Sequence, residues 1–265
     1  MRLRRVVPSD RLPSDFVCGA VVLRVPVVAE IGTVAMIFPL FNERHAIAGL
    51  VGRVPPAIAE TIVVDDGSDD GGPDLARAAG ARVIGQERRR GVGAAIRTGI
   101  EAARANGHGV VVVLAANGKD DPAEAPRLID QLRAGYDYVQ GSRFLRAGGS
   151  SVHLPRGRGL MIRGYTVLFR LLSGFPATDV TNGFRAYRLS LLDDPRIRIN
   201  QSWLDRYELE YYLQWKAIKL GYRVVEVGVS KTYPKGGGNY SKIRRVRDWW
   251  SIVKPTLLLW LHVRD

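Results

Sequence analysis

Four short polar clusters stand directly behind apolar runs in this chain: "PLFNE" (39–43), "DDGSDDG" (65–71), "AANGKDDP" (115–122) and "GSRF" (141–144). They gather Glu43, Asp65, Asp66, Asp120 and Asp121 with Asn117, Lys119 and Arg143. Carboxylates accept hydrogen bonds or hold cations, and ammonium and guanidinium groups neutralise anions. Any one cluster is weak: "DDGSDDG" alone also reads as a solvated turn, because Asp and Gly are ordinary turn residues. Their joint appearance is stronger, since ligands of open α/β sheets bind at the carboxyl ends of the strands.

The apolar runs set those strand ends. "TVAMIF" (33–38), "ETIVVDD" (60–66), "ARVIG" (81–85), "VVVVLA" (110–115) and "DYVQGS" (137–142) read as strands. Helices are expected over Glu43 to Arg53, Leu75 to Ala79, "GVGAAIRTGIEAARANG" with its Asn106-Gly107 stop, and Pro122 to Ala134. Strands alternating with helices imply a mostly parallel sheet covered on both faces. The second half is less regular. "RGLMIRGYTVLFRLLSG" and "LDRYELEYYLQWKAIKLG" read as helices, "FRAYR" as a short strand and "YRVVEVGVS" as a strand. "TYPKGGGNYSK" is a glycine-rich loop, and "RRVRDWWSIVKPTLLLWLHVRD" is a basic, Trp-rich amphipathic segment broken at Pro255.

With 265 residues and no internal repeat, the chain can bury a full core. The expected division is an N-terminal arm (1–32), an α/β domain (33–240) and the C-terminal amphipathic segment (241–265). The first 32 residues place basic residues before apolar ones, as a signal peptide does. Pro8, Asp10, Pro13 and Asp15, then Arg24 and Pro26, interrupt that pattern and favour a peripheral arm or extra strand. Cys18 is the single cysteine, so no intrachain disulfide is expected, and a reducing, cytoplasmic setting fits. A formal net charge of +13 should attract nucleic acid, an acidic membrane face or phosphorylated ligands. No helix-turn-helix, zinc-finger or RNA-binding signature is present, so nucleic acid is not the expected partner.

The blocks "FPLFNE", "VVDDGSDDG", "GVGAAIRTGI", "NGKDDP", "GSRF", "TDVTNGFRAYR" and "NYSK" occur in the order found in family 2 glycosyltransferases. The chain resembles most the dolichyl-phosphate mannose synthase-like branch, over roughly residues 33–255. The resemblance implies a GT-A fold, which is a Rossmann-like, mostly parallel sheet with helices on both faces. It also implies a UDP- or GDP-sugar donor and inversion at the anomeric carbon. Glu43 and Asp66 match the family's nucleoside-contacting acids, with Asp65 orienting Asp66 and with Pro39 and Leu40 alongside. Gly91 and Gly93 would let the backbone approach a phosphate at a helix N-terminus, and Arg88 to Arg90 would neutralise a diphosphate. Ser241 and Lys242 match a loop that closes over the site, with Gly236 to Gly238 supplying its mobility.

One departure is conspicuous. Where the family reads Asp-X-Asp, a clamp for nucleotide and divalent metal, this chain reads Ala115-Ala116-Asn117. Alanine offers no ligand, and one neutral amide oxygen is a poor substitute for a carboxylate on Mg²⁺ or Mn²⁺. Two rebuilt sites are open from the residues. Asp120 or Asp121 can hold the metal with Asn117 as a further ligand, or Lys119 can neutralise the diphosphate directly and make the metal dispensable. Asp121 also reads as a helix cap before Pro122.

On the acceptor side, Asp179 in "TDVTNG" matches the acid nearest a general-base role. Arg143 and Arg158 match positions that hold the acceptor phosphate in the polyprenyl-phosphate branch. The serine expected four residues after Arg158 is Ile162 here, which leaves a polyprenyl phosphate and a soluble small molecule both open as acceptors. The C-terminal Arg244, Arg245, Arg247, Trp249, Trp250, Lys254 and Trp260 fit either a peripheral contact with the inner face of a membrane or packing on the domain or a homodimer partner. Two other function classes compete with this reading. A non-catalytic nucleotide-sugar binding domain would explain the altered clamp, but Glu43, Asp66, Arg143 and Asp179 are all retained. A sugar-phosphate nucleotidylyltransferase would carry a Gly-Gly-X-Gly-Thr-Arg stretch near its start, which is absent.

Overall fold

The computed structural model describes residues 30–234 and 245–264. Most of the expected N-terminal arm, and Ser241, Lys242 and Gly236 to Gly238 of the loop, lie outside the described residues. The strands in chain order are β1 (Val34–Leu40), β2 (Glu60–Asp65), β3 (Arg82–Gly85), β4 (Val110–Val113), β5 (Tyr138–Ser142), β6 (Ser150–Val152), β7 (Arg185–Arg188), β8 (Val224–Gly228) and β9 (Ser230–Thr232). Seven form one sheet in the order β3-β2-β1-β4-β7-β5-β8, and β6 pairs with β9 in a second, two-stranded sheet. The helices are α1 (Arg44–Val51), α2 (Gly72–Ala78), α3 (Val92–Ala105), α4 (Ala125–Arg133), α5 (Arg156–Ser173), α6 (Glu208–Lys219) and α7 (Arg245–Trp260).

The central strands are continuous apolar runs because helices cover both faces. Ala35, Ile37, Val111 and Val113 pack with Ile96 and Ile100 of α3 and with residues of α5, α6 and α7. Met36, Phe38, Val110 and Val112, one residue out of phase, pack with Ile47 and Leu50 of α1 and with Leu128 and Leu132 of α4. This is the doubly covered, mostly parallel α/β sheet expected of the GT-A fold. The exception is β7, which runs antiparallel between β4 and β5, pairing Arg185 with both Val113 and Gln140. Its N-terminal end therefore lies with the carboxyl ends of its neighbours. The "TDVTNG" stretch just before it is thereby delivered to the ligand edge of the sheet.

Two sequence expectations change on contact with the fold. The C-terminal segment is not broken at Pro255: α7 runs through it. A helix-interior proline costs about 3 kcal/mol, and the burial of Ile252, Thr256 and Leu259 offsets that cost. The Thr256 hydroxyl also bonds Tyr165 of α5 at 2.7 Å. The glycines that open α3 serve a close backbone approach, but the group approaching is protein. A Cβ on Gly91 would stand 2.4 Å from the Asp205 carbonyl oxygen, and one on Gly93 2.0 Å from that of Leu204.

Gly93→Ala should therefore lower stability by about 2 kcal/mol, because rigid backbone cannot yield to the added methyl. Gly49→Ala, on the exposed side of α1 with nothing within 4 Å of the new Cβ, should raise it by about 0.5–1 kcal/mol. Urea unfolding of both variants checks the contrast; equal effects would contradict the packing described.

Candidate functional site

The carboxyl ends of β1 and β2 bring together the residues expected to hold a nucleoside. Leu40 is in register with Asp65, and the Asp66 N–H donates to the Leu40 carbonyl at 2.8 Å. Glu43 follows at the start of α1, half-buried, with His45 at 3.6 Å from its carboxylate. Asp65 accepts the Ser68 N–H at 3.0 Å, which shapes the "GSDDG" turn. Asp66 is buried and accepts the N–H groups of Arg90 and Gly91 at 2.6 and 2.9 Å. The anion at the N-terminus of α3 is thus the protein's own Asp66 carboxylate. Gly91 spends its N–H there, and Arg89 stacks on Phe41 at 3.7 Å from the ring centroid. The α3 N-terminus is an anion site that the fold has filled itself.

The "AANGKDDP" stretch lies at the end of β4, stapled to β9. The Thr232 N–H donates to the Lys119 carbonyl at 2.8 Å, and Asp120 bridges to Lys231. The Lys231 ammonium donates to Asp120 Oδ2 at 2.5 Å and to Asn182 Oδ1 at 3.1 Å, all three side chains being buried. Asn117 accepts the Lys119 N–H at 3.2 Å. Asp121 caps the following turn through the Ala123 N–H at 3.1 Å and meets Arg53 at 3.3 Å. The Lys119 ammonium stands 5.8 Å from the centre of the Tyr233 ring, and the Arg158 guanidinium also stands 5.8 Å from it. Burial, then the charges of Lys231 and Arg158, lower the Lys119 pKa to about 8, against the opposing pull of Glu43 and Asp120.

Divalent cations of this size ask for several oxygen ligands, with carboxylates among them. Among the described residues no group of three or more His, Cys, Asp or Glu side chains gathers in a way that could hold one. Asp120 has one oxygen on Lys231, and its other oxygen, the buried Oδ1, has no hydrogen-bond partner among the described residues. Asp121 is engaged by its cap and by Arg53, away from Asp120's buried pair. One amide and one spare carboxylate oxygen beside two ammonium groups fit a dication poorly.

The acceptor side is organised by an ion pair. Arg143, at the end of β5, donates Nε to Asp179 Oδ2 at 2.6 Å and Nη2 to Asp179 Oδ1 at 2.7 Å, and both side chains are almost fully buried. Asp179 also accepts the Arg143 N–H at 3.1 Å and the N–H and hydroxyl of Thr181, each at 3.2 Å. Arg143 reaches further, to the Tyr233 hydroxyl at 2.5 Å and the Thr181 hydroxyl at 2.6 Å. Burial works against the Arg143 charge, but the Asp179 carboxylate outweighs it and raises the Arg143 pKa. Glu226 of β8 accepts the N–H groups of Thr178 and Asp179 at 2.7 and 3.0 Å and so fixes the loop from below. Arg158 sits in the first turn of α5, its Nε buried and without a hydrogen-bond partner among the described residues. Ile162, one turn on, is buried.

The structure therefore brings Lys119, Asp120, Arg143, Arg158 and Asp179 to one place, with Glu43, Asp66 and Asn117 at the neighbouring strand ends. It adds three residues that sequence reasoning missed: Lys231, Tyr233 and Glu226. Tyr233 is buried and touches Arg143, Lys119 and Arg158. The signal that could have found them was the alternating run "YRVVEVGVS", whose far end must reach the same sheet edge. A cleft of about 510 Å³ between α3 and residues 192–201 contains none of these groups.

Residues 36–194 match the model of glycosyl transferase family 2. The chain is 36% identical to the polyprenol monophosphomannose synthase of Mycolicibacterium smegmatis, over 74% of this chain and 76% of that one. It is 32% identical to the undecaprenyl-phosphate mannosyltransferase of Micrococcus luteus, over 74% of this chain and 82% of the relative. Among solved structures, glucosyl-3-phosphoglycerate synthase from Mycobacterium tuberculosis, in complex with phosphoglyceric acid, superposes with a TM-score of 0.65 at 22% identity, covering 88% of this chain and 81% of that one. Other crystals of that enzyme hold UDP with Mg²⁺ or with Mn²⁺. This chain belongs to glycosyl transferase family 2, in its dolichyl-phosphate mannose synthase-like branch, and is a glycosyltransferase with the GT-A fold.

Proposed function

We propose that the chain transfers a sugar from a nucleoside diphosphate sugar, UDP- or GDP-linked, to the phosphate of a polyprenyl phosphate, with inversion at the anomeric carbon. The observation that carries the acceptor class is the engagement of Asp179. A hydroxyl acceptor needs a base with a lone pair aimed at its proton. The oxygens of Asp179 instead accept from the Arg143 side chain and backbone and from Thr181. A phosphate acceptor is already anionic and needs positive charge to position it, which Arg158 offers through an Nε that has no hydrogen-bond partner among the described residues. A phosphate oxygen then bonds to the anomeric carbon from the face opposite the diphosphate. The bond from that carbon to the diphosphate breaks, and the diphosphate leaves with the electron pair. No proton changes hands.

The relatives named for polyprenol and undecaprenyl-phosphate substrates support this reading. A second reading, a soluble phosphate-bearing acceptor, draws on Ile162, which offers a phosphate no hydroxyl, and on the complex of the solved relative with phosphoglyceric acid. A peripheral position on the inner face of a membrane accompanies the first reading. No helix among the described residues is long and apolar enough to cross a membrane. Yet α5 exposes Leu160, Met161, Val167 and Leu171 between the exposed Arg156, Arg163 and Arg170, and α7 exposes Trp250 and Trp260. Apolar and cationic side chains on one face suit an anionic bilayer surface.

Three measurements test the reading. Labelled UDP- and GDP-sugars should transfer to polyprenyl phosphate and not to the unphosphorylated polyprenol; labelling of the free alcohol would refute the anionic acceptor, and labelling of phosphoglycerate alone would favour the soluble one. Asp179→Asn leaves the Arg143 charge buried without its partner and should cost about 3–5 kcal/mol of stability; the Arg143→Met, Asp179→Asn double variant should cost less than the sum of the two single changes. The full chain should float with vesicles rich in anionic lipid and stay behind with neutral ones; no flotation with either would end the membrane assignment.

A further inference from the structure

The positions of the clamp's lost acids, Ala115 and Asn117, and Lys119 lie within one short stretch. In the family's clamp a dication lies between protein carboxylates and the donor's diphosphate. Here the two carboxylate positions are Ala115 and Asn117, and the nearest buried acid, Asp120, is bound to Lys231. Lys119 stands two residues beyond Asn117, buried, its backbone fixed to β9 through Thr232 and its ammonium beside the Tyr233 ring. Lys231 and Arg158 are its neighbours. A dication brought to this spot would face the three positive side chains of Lys119, Lys231 and Arg158 against the carboxylates of Glu43 and of the already paired Asp120; a diphosphate would meet charges of the opposite sign, of which Lys119 and Lys231 are already buried.

We propose that this glycosyltransferase binds the diphosphate of its donor without a divalent metal, with the Lys119 ammonium occupying the role of the ion and Lys231 holding Asp120 out of metal ligation. The inference rests on the nucleotide-sugar donor reading given above. Lysine binds phosphate as a compact point charge, and a charge-assisted contact made in a buried site is stronger than the same contact in water. Asp120 contributes by pairing with Lys231, which offsets part of the repulsion between the second ammonium and the first. Asn117 contributes by holding the Lys119 backbone N–H. The same charge arrangement stabilises the diphosphate as it leaves, since negative charge grows on it as the glycosidic bond breaks.

Isothermal titration calorimetry of the full chain with UDP and GDP, each in excess chelator and each with Mg²⁺ or Mn²⁺, tests this. The expected result is binding of one diphosphate in chelator, within about threefold of its affinity with metal. Lys119→Gln should weaken that metal-free binding roughly ten- to hundred-fold, the loss of a buried charge-assisted contact, while leaving the affinity for the free nucleoside unchanged. Lys119→Arg, which keeps the charge, should retain most of the binding, and circular dichroism of both variants reports that they are folded. Binding that appears only with metal would overturn the inference and leave the donor reading intact. Unchanged metal-free binding by Lys119→Gln would overturn the role of Lys119. No binding of either diphosphate under any condition would overturn the donor reading itself. The chelator comparison on the unaltered chain does not depend on how any variant folds.

Discussion

The buried pair of Arg143 and Asp179 is the constraint on which the ligand edge depends. Two full charges taken out of water are tolerated only when the geometry is good and the remaining donors and acceptors are satisfied. Both conditions are met: the pair is bidentate, Thr181 and the Arg143 N–H occupy the other Asp179 lone pairs, and Tyr233 takes a further guanidinium N–H. Each partner belongs to a different part of the chain. Arg143 closes β5, Asp179 precedes β7, Tyr233 follows β9, and Glu226 of β8 grips the loop backbone. One electrostatic contact therefore ties several strand ends together. The same network spends both Asp179 oxygens on Arg143 and Thr181.

Charge is then distributed by what the fold has already neutralised. Helix α3 presents its N-terminus to the ligand edge, the usual place for a phosphate, but Asp66 fills it and the Leu204–Arg206 backbone packs on its glycines. That terminus is thereby occupied. Positive charge is concentrated around Tyr233, where the buried Lys119, Lys231 and Arg143 and the half-buried Arg158 converge, with Asp120 paired to Lys231, Asp179 to Arg143, and Glu43 acting on Lys119. The excess of +13 over the whole chain says little by itself; the local surplus at the strand ends gives it a chemical meaning.

The layered α/β fold was legible because its signal is local. Apolar runs such as "VVVVLA" and polar clusters behind them need no knowledge of the rest of the chain. Glu43, Asp66, Lys119 and Arg143 stood out as candidates for the same reason: each lies in a polar cluster that follows a strand. What escaped the sequence was set by long-range packing. Tyr233 and Lys231 reach the site because β9 lies against residues 119–120, a contact across more than a hundred residues. The role of Gly91 and Gly93 could not be read from α3 alone, since the backbone that needs their missing side chains comes from residues 204–206. Pro255 misled for a related reason. Local propensity opposes a helix there, and the burial of Ile252, Thr256 and Leu259 overrides it.

Helix α5 joins two demands that would otherwise be separate. Its first turn holds Arg158 beside Tyr233, and its buried side packs Tyr165 and Phe169 against α6, with Tyr211 and Trp215 edge-on. Its outer side exposes Leu160, Met161, Val167 and Leu171. On the proposed reading, a polyprenyl phosphate must present its head group to Arg158 while its chain stays in the bilayer. A helix that carries the phosphate-binding arginine at one end and an apolar, arginine-lined face along its length answers both needs with a single rigid element. The aromatic packing beneath fixes the angle between them, so the depth at which the helix rests on a membrane sets the height at which Arg158 meets the phosphate. For a soluble acceptor no such coupling is needed, and the exposed leucines and valine of α5 would have no counterpart in the chemistry of the site.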